Sequence, residues 1–280
     1  MLQSKKIAFL GAGSMAEAMI SGIINKGDIP PNTITVTNKS NLNRLNHLQT
    51  KYDITIMDKE HIPFEEMDVL VLAMKPKDAE TALHYIRDKV APHQLILSVI
   101  AGISLDYMGS FFKEGQQLIR VMPNTSAMIS ESVTAFSTGS YTNDESILTA
   151  EALLKCIGDV YQIPEEHMDI FTGIAGSGPA YFYYLMEHIE EVAIENGLDR
   201  EIAREIAAKM IQGAAKMMIQ QEDTPSQLRQ KVTSPNGTTA AGLKALEQYG
   251  GGKAIFEAIQ NAARRSKEIS SELQRKDVIL

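Results

Sequence analysis

The sequence predicts an α/β protein in which a sheet-and-helix N-terminal part precedes an all-α C-terminal part. In the first part, short apolar runs alternate with helical patterns, as in a parallel sheet covered by helices. After Pro164 the strand-like runs stop, and apolar residues recur at helical spacing instead. We therefore predict two domains, residues 1–163 and residues 164–280.

The first apolar run is followed at once by a glycine-rich turn. Ile7–Leu10 reads Ile-Ala-Phe-Leu, and residues 11–16 read Gly-Ala-Gly-Ser-Met-Ala before a helical pattern begins. This is the strand–turn–helix setting in which a G-x-G-x-x-A pattern binds a dinucleotide. Gly11 permits the tight turn, Gly13 lets the backbone approach a pyrophosphate, and Ala16 allows close helix–strand packing. The N-terminal part is therefore predicted to be a Rossmann domain.

The other strands are predicted from apolar runs, most of which end in small or turn-forming residues. These runs are Ile34–Thr37, Val69–Ala73, Leu95–Val99, Leu118–Met122, Val133–Phe136 and Asp159–Ile163. An open α/β sheet binds its ligand at the carboxyl ends of the strands, so we expect a dinucleotide to lie across these ends. Thr142–Glu145 is expected to form a capping box for the helix that follows.

The residues after the second predicted strand indicate which dinucleotide binds. An NAD site usually carries an acidic residue there, which binds the ribose 2′-hydroxyl. This chain has instead Asn38, Lys39, Ser40 and, one turn later, Arg44. An amide, a hydroxyl and two cations suit a 2′-phosphate, which a carboxylate would repel. We predict NADPH as the cofactor; the alternative is that these residues only start a helix and that NADH is used as well.

One stretch of the helical part cannot be ordinary helix. Residues 232–243 read Val-Thr-Ser-Pro-Asn-Gly-Thr-Thr-Ala-Ala-Gly-Leu, in which Pro235 lacks an amide hydrogen and Asn236 with Gly237 is a turn dipeptide. Helical spacing resumes at Leu243. A turn that leads into a helix presents unpaired amides and the positive end of the helix dipole to an anion. The alternative is that a Ser or Thr side chain simply caps a structural helix.

The residue types available for catalysis favour an imine substrate over a ketone. Reduction of a ketone normally needs a Lys or His proton donor, and the predicted long helix from Tyr181 to Glu195 contains no lysine and a single histidine, His188, on its polar edge. No histidine pair or cysteine cluster is visible, so no metal is expected. A protonated imine carbon already accepts a hydride, and one hydroxyl can orient its nitrogen. A substrate with an imine and a carboxylate would fit the hydroxyls of the turn.

Composition argues against several other classes of protein. The net charge of −8 gives no electrostatic basis for binding nucleic acid or an anionic membrane. Cys156 is the single cysteine, which fits a reducing compartment, and no apolar run approaches the length of a membrane span. We therefore expect a cytoplasmic protein. Apolar residues on more than one face of the C-terminal helices indicate dimerisation; the alternative is packing against the first domain alone.

Five segments together resemble the pyrroline-5-carboxylate reductase family, and the resemblance covers nearly the whole chain. They are Gly11–Ala16, Ala73–Pro76, Met122–Thr125, Ser177–Tyr181 and Val232–Thr239. The last is the family's signature. The resemblance implies a Rossmann domain and a helical dimerisation domain, often assembled as a ring of dimers. It also implies hydride transfer from NADPH to the C=N bond of 1-pyrroline-5-carboxylate, which gives L-proline and completes proline biosynthesis.

The resemblance further implies roles for individual residues. Thr239 is the predicted catalytic residue, which hydrogen-bonds the ring nitrogen, while Ser234, Gly237 and Thr238 hold the substrate carboxylate. Glu165 is a further candidate for the substrate pocket. Together with Lys39 from the argument above, the expected cofactor contacts are Leu10, Gly11, Ala12, Gly13, Ser14, Met15, Asn38, Met74, Lys75 and Ala101. Lys75 has an alternative interpretation as an ordinary surface lysine before a helix.

Two departures from the family pattern lie in the quoted segments. Asn236 stands where many members have glycine, and Ser126 where many have proline. Asn tolerates left-handed backbone angles, so the turn need not change. Two other functions stay open: a reductase of another cyclic imino acid or small 2-oxo acid, and a regulatory protein that binds NADP without turnover. The intact hydroxyl-rich signature argues against the regulator.

Overall fold

The computed structural model describes residues 2–26 and 29–276, so residues 277–280 of the predicted second domain lie outside the described part. The chain forms two compact units, Met1–Ser177 with Asn261–Leu280 and, between them in sequence, Gly178–Gln260. The predicted α/β fold class, with an all-α part after the sheet, is confirmed. The domain division after residue 163 stays a prediction.

The described residues of the first unit form one eight-stranded sheet in the order β3-β2-β1-β4-β5-β6-β7-β8. Neighbouring strands are parallel except for β6 and β7, which pair antiparallel. The strands are β1 Ile7–Leu10, β2 Ile34–Thr37, β3 Thr55–Ile56, β4 Val69–Leu72, β5 Leu95–Ser98, β6 Gln117–Met122, β7 Ser132–Thr138 and β8 Gly158–Gln162. All six further apolar runs predicted as strands are therefore strands, and only the two-residue β3 was not expected.

Helices cover both faces of this sheet. They are α1 Ser14–Asn25, α2 Leu42–Tyr52, α3 Ala79–Ile86, α4 Leu105–Gly109, α5 Asp144–Lys155 and α6 Met168–Phe171, which continues as a π-helical turn at Thr172–Gly176. One apolar cluster joins α1, α2 and α5 to one face, and a second joins α3 and α4 to the other. Strands β1, β2, β4 and β5 are buried along their whole length because both faces are covered. This burial explains the continuous apolar sequences of β1 and β4.

The strand order reverses at β1, which lies between β2 and β4. The last residue of β1, Leu10, is in register with Thr37 of β2 and with Leu72 of β4. Leu72 is in turn in register with Ser98 of β5. The carboxyl ends of these four parallel strands therefore form one continuous edge. A ligand of an open α/β sheet binds at such an edge, where the order reverses.

The predicted capping box at the start of α5 is wrong in detail. Asn143, not Thr142, is the N-cap residue, and its side chain accepts a hydrogen bond from Ser146 N at 2.9 Å. The Thr142 hydroxyl donates instead to Leu118 O at 2.8 Å, on strand β6. A long-range hydrogen bond to the sheet thus takes the hydroxyl that the local pattern had assigned to the helix.

The second unit is helical. Its helices are α7 Gly178–Glu195, α8 Arg200–Gln220, α9 Pro225–Lys231, α10 Thr238–Gln248 and α11 Gly251–Lys276, whose later residues belong to the first unit. The Asp199 side chain caps α8, and Thr224 with Gln227 forms a capping box on α9. None of the helices in the described ranges combines the length and the apolar character that crossing a bilayer requires.

Candidate active site

The glycine-rich turn after β1 requires glycine at its first position. Gly11 has a φ of 115°, a conformation that L side chains rarely adopt. A Cβ atom there would lie 2.3 Å from Ala73 O, at the carboxyl end of β4. The Gly11 amide donates to Thr37 O at 2.9 Å, which ties the turn to the end of β2. The backbone therefore passes closer to both neighbouring strands than any other residue would allow.

The helix that follows this turn starts without a side-chain cap. Gly13 is the N-cap residue of α1, and in the described structure no side chain hydrogen-bonds to the amides of the first turn. Gly13 and Ser14 are exposed, whereas Ala16 is fully buried against the sheet, as predicted. Unpaired amides and the positive dipole end face outward at this point. The glycine cradle and this donor set fit the diphosphate of a dinucleotide.

The loop after β2 lies at the same edge of the sheet as the glycine-rich turn. The Asn38 side chain accepts hydrogen bonds from Ser40 N and Asn41 N at 3.1 and 2.9 Å, and it donates to Asn41 O at 2.8 Å. Lys39 is exposed and forms an ion pair with Asp78 at 3.1 Å, across to the segment after β4. Thr37 Oγ1 is buried and, among the described residues, has no hydrogen-bond partner. An incoming polar group at this edge would satisfy that hydroxyl.

Arg44 occupies a different position from the one expected for a 2′-phosphate ligand. Its Nε donates to Ala12 O at 2.8 Å, and its Nη2 donates to the carboxylate of Glu17 on α1. Two of its nitrogens are therefore engaged with the glycine-rich segment. Lys39, whose side chain is 83% exposed, is the cation of the β2–α2 loop that stays accessible.

The other predicted cofactor contacts follow the ends of neighbouring strands. Met74 and Lys75 follow β4, where Met74 is half-buried and Lys75 is exposed, and Ala101 is exposed after β5. The Ala73 amide donates to Leu10 O at 2.9 Å, so the segment after β4 starts beside the glycine turn. The structure thus brings the predicted cofactor residues to one edge of one unit. Within the described ranges, no three metal-ligating side chains cluster.

The Ser-Pro-Asn-Gly segment of the second unit is a tight turn. The Gly237 amide donates to Ser234 O at 3.1 Å and closes the turn. Asn236 has a φ of 60°, so the expectation that Asn tolerates the left-handed conformation here is confirmed. A Cβ atom on Gly237 would lie 2.4 Å from Ser234 Oγ, which explains the glycine. Gly237 thus keeps the Ser234 hydroxyl at the start of α10.

Helix α10 begins directly after this turn and has no Ser or Thr cap. Its N-cap residue is Gly237, and no side chain of the described chain caps it, so the alternative of a side-chain-capped structural helix is wrong. Thr238 and Thr239 are the first two helical residues, the former exposed and the latter half-buried. Their amides have no partner within the helix. The helix start therefore combines amide donors with three hydroxyls, those of Ser234, Thr238 and Thr239.

Glu165 lies in the first unit, where it is part of an ionic network. Its Oε1 accepts hydrogen bonds from Leu105 N at 2.8 Å and from Arg120 Nη1 at 3.0 Å. Arg120, on β6, also lies 3.8 Å from Asp169 Oδ1, which accepts a hydrogen bond from Ser266 Oγ at 2.7 Å. These contacts give Glu165 a structural role in holding the start of α4. Its predicted part in substrate binding stays a prediction.

Comparisons with known proteins agree across the chain. A family model described as pyrroline-5-carboxylate reductase dimerisation matches residues 165–269, and one described as NADP oxidoreductase coenzyme F420-dependent matches residues 6–102. Pyrroline-5-carboxylate reductase 1 of Bacillus spizizenii is 55% identical over 97% of this chain and 91% of its own length. The chain belongs to the pyrroline-5-carboxylate reductase family.

Other members of the pyrroline-5-carboxylate reductase family are similar over the same extent. Pyrroline-5-carboxylate reductase 1 of Bacillus subtilis is 54% identical over 97% of this chain and 91% of its own length. The crystal structure of the Plasmodium falciparum pyrroline carboxylate reductase with NADP bound superposes with a TM-score of 0.87. It is 25% identical and covers 96% of this chain and 100% of that one. The family resemblance predicted from the five segments is confirmed.

Proposed function

We propose that the chain transfers a hydride from NAD(P)H to the C=N bond of 1-pyrroline-5-carboxylate and so forms L-proline. The observation that carries this proposal is the start of α10, which presents hydroxyls and amides without a side-chain cap. Such a site binds an anion and offers a hydroxyl to a neighbouring nitrogen. Together with a glycine cradle for a dinucleotide in the same chain, it suits an imine with a carboxylate. The family to which the chain belongs supports the same reaction.

The roles proposed for the second unit are those that the family resemblance implies, and the geometry of the helix start supports them. The hydroxyls of Ser234 and Thr238, with the amides at the start of α10, hold the carboxylate. The Gly237 amide already closes the turn, so Gly237 contributes space for the Ser234 hydroxyl. Thr239 hydrogen-bonds the ring nitrogen and orients the imine. NAD(P)H, when bound, supplies the hydride.

The roles proposed for the first unit concern the cofactor. Residues 10–15 bind the diphosphate, Met74, Lys75 and Ala101 lie toward the nicotinamide, and Asn38 shapes the loop that receives the adenosine end. Lys39 favours NADPH over NADH because its ammonium pairs with a 2′-phosphate. For Glu165 we keep the part in substrate binding that the family resemblance implies.

Assembly and location are also part of the proposal. The chain self-associates as a dimer through its helical part, and dimers assemble further into a ring. Many large apolar side chains of α7 and α8 are exposed in the single chain, which supports self-association. We place the protein in the cytoplasm, where a single cysteine, Cys156, would stay reduced.

A panel of substrates tests the reaction directly. NADPH and NADH oxidation are followed with 1-pyrroline-5-carboxylate, other cyclic imines and small 2-oxo acids. We expect turnover with 1-pyrroline-5-carboxylate at the highest kcat/KM and proline as the product. A higher kcat/KM for another imine or for an oxo acid would replace the proposed substrate. Cofactor binding without turnover of any of these compounds would instead indicate an NADP-binding regulator.

A further inference from the structure

A buried carboxylate lies beneath the glycine-rich turn. Glu17 stands one helical turn after Gly13, and its amide donates to Gly13 O at 3.0 Å. Its side chain is only 9% exposed. The carboxylate accepts hydrogen bonds from Arg44, from Lys51 at 2.9 Å and from the Tyr52 hydroxyl at 3.1 Å, all three on α2. This cluster therefore joins the first turn of α1 to helix α2.

The carboxylate of this cluster remains ionised. Burial would by itself raise the pKa of Glu17, but hydrogen bonds from Lys51 and Arg44 outweigh that effect and hold the pKa at about 2. His47 Nε2 lies 4.0 Å away and adds a further positive charge when it is protonated. At neutral pH, a fixed negative charge thus faces the guanidinium of Arg44.

Arg44 connects this charge to the backbone of the glycine-rich turn. Its Nε donates to Ala12 O at 2.8 Å, and its Nη2, which also binds Glu17, lies 3.5 Å from Gly13 O. The Arg44 backbone is fixed as well, because its amide donates to the capping side chain of Asn41 at 3.0 Å. One planar guanidinium therefore binds a carboxylate and approaches two successive carbonyls of the turn.

Fixing these carbonyls also fixes the amides on the other side of the same peptide units. In a trans peptide the C=O and the N–H point in opposite directions. The Ala12 carbonyl shares its peptide with the Gly13 amide, and the Gly13 carbonyl shares its peptide with the Ser14 amide. Arg44 holds the Ala12 carbonyl, so the Gly13 amide is directed away from Arg44. The Gly13 carbonyl is held by the Glu17 amide at 3.0 Å, so the helix itself directs the Ser14 amide. These are the donors that a diphosphate at the start of α1 would need.

We propose that Glu17 and Arg44 are positioning residues, which orient the Gly13 amide toward the diphosphate of the cofactor, and that Arg44 does not bind the 2′-phosphate. This inference rests on the proposed use of NAD(P)H. The diphosphate is common to NADPH and NADH, so the pair supports both cofactors equally. Lys39, which lies in the exposed loop after β2, is then the residue that discriminates between NADPH and NADH.

Binding titrations of the full-length protein with NADPH and with NADH, followed by cofactor fluorescence, test the proposal without turnover. Arg44→Lys keeps the positive charge but loses the planar fork, and Glu17→Gln keeps the shape but loses the charge. We expect both variants to raise both Kd values by the same factor, roughly tenfold, which is the effect of losing one charge-assisted hydrogen bond. Lys39→Ala should raise the Kd of NADPH alone.

Two comparisons separate the orientation of the glycine-rich turn from other effects on cofactor binding. Adenosine 2′-monophosphate carries the 2′-phosphate but no diphosphate, and it competes with NADPH. Lys39→Ala should therefore raise its inhibition constant, and Arg44→Lys should leave that constant unchanged. Glu190→Gln is the matched control, because Glu190 is also a buried carboxylate held by arginines, Arg200 and Arg204, at 3.4 and 2.6 Å. It should lower the Tm without changing the Kd of either cofactor.

The outcomes are distinct. An Arg44→Lys protein that loses affinity for NADPH and for adenosine 2′-monophosphate but not for NADH would make Arg44 a phosphate ligand and overturn the proposal. A folded Arg44→Lys protein with both Kd values unchanged would overturn it as well, and this variant decides the question if Glu17→Gln does not fold. Wild-type protein that binds both cofactors but turns over no pyrroline-5-carboxylate would reject the proposed reaction and leave the positioning role standing.

Discussion

Thr239 is placed where a single hydroxyl can act on a substrate bound at the start of α10. It is the second residue of the helix and is half-buried, so its side chain is more restricted than that of the exposed Thr238. In the proposed site, the neighbouring amides would attract the carboxylate of the substrate, and the Thr239 hydroxyl would be left for the nitrogen. Removal of the Thr239 hydroxyl should therefore affect turnover and leave cofactor binding unchanged.

Thr239→Ala should lower turnover more than it weakens cofactor binding. Loss of one transition-state hydrogen bond costs roughly 2–4 kcal/mol, so kcat should fall by at least a factor of about 30. The Kd of NADPH should stay close to the wild-type value, and Thr239→Ser should recover much of the lost turnover. Steady-state kinetics and cofactor titration measure both quantities, and wild-type turnover in Thr239→Ala would remove this residue from the mechanism.

The Glu17 carboxylate should make the free energy of unfolding depend on pH in the acidic range. Its pKa is lowered from 4.5 to about 2 in the folded protein, so its stabilising contribution is present above pH 4.5 and is lost as the pH falls toward 2. This shift corresponds to roughly 3 kcal/mol. Urea unfolding should therefore show a stability gap between wild type and Glu17→Gln that is largest near neutral pH and narrows below pH 4.5. A gap that does not change with pH would show that the charge contributes nothing.

At the scale of elements, the tight turn before α10 positions the helix start. Residues 234–237 close the turn through the hydrogen bond from Gly237 N to Ser234 O, and the next residue begins the helix. A side chain at Gly237 would collide with Ser234 Oγ although the backbone angles of Gly237 suit any residue. Gly237 therefore leaves the space that the Ser234 hydroxyl occupies.

Gly237→Ala should impair substrate binding while the protein stays folded. The added methyl forces the Ser234 hydroxyl out of its position, and a displacement of about 1 Å in a binding group can change rates by up to roughly a hundredfold. We expect the KM for 1-pyrroline-5-carboxylate to rise at least tenfold, with the Kd of NADPH and the circular dichroism spectrum unchanged. A folded Gly237→Ala protein with a wild-type KM would show that the position of the Ser234 hydroxyl does not matter for substrate binding.

Strands and helix starts differed in how well the sequence predicted them. The buried strands β1 and β4 were predicted within one residue because continuous apolar runs are rare outside a doubly covered sheet. β3 was missed because two residues carry no periodic signal. The cap of α5 was misassigned because the local pattern does not reveal a hydroxyl that bonds elsewhere.

The candidate site was predictable where it depends on a local motif. The glycine turn and the turn before α10 are each contiguous, so their residue types indicated a dinucleotide and an anion. The cluster around Glu17 was not foreseen because its partner Arg44 lies 27 residues along the chain. Likewise, the contact of Glu165 with Arg120 spans 45 residues and depends on the sheet. Such pairs become visible only when the fold brings them together.

At the scale of the whole molecule, the two units differ in how their apolar residues are covered. Strands β1, β2, β4 and β5 of the first unit are enclosed on both faces, whereas many large apolar residues on helices α7 and α8 are exposed. They include Phe182, Tyr183, Tyr184, Leu185, Val192, Ile202, Ile206, Met210, Met217 and Met218. Exposed apolar patches of this extent are typical of protein interfaces. The family model that matches this part of the chain describes dimerisation.

A charge on this surface should shift the protein toward the monomer. Ile206 on α8 is 57% exposed, and Ile206→Glu would bury a carboxylate in a dimer interface without a partner. Leu148→Glu is the matched control, because Leu148 is 49% exposed on α5 of the first unit. Sedimentation velocity should show dissociation of Ile206→Glu and not of Leu148→Glu. If both variants have the same oligomeric state, this part of α8 is not in the interface.

The Asn-Gly pair of the turn before α10 also makes the protein prone to deamidation during storage. In an exposed Asn-Gly sequence the backbone nitrogen of the glycine can attack the side-chain carbonyl carbon of the Asn. Ammonia leaves, and water opens the resulting cyclic succinimide to aspartate or isoaspartate. Asn236 is exposed, although the hydrogen bond from Gly237 N to Ser234 O slows this attack. Conversion would put a negative charge beside the amides that receive the substrate carboxylate. Old preparations should therefore show a rising KM for the imine and an unchanged Kd for NADPH, and Asn236→Gly, which keeps the turn, should not age in this way.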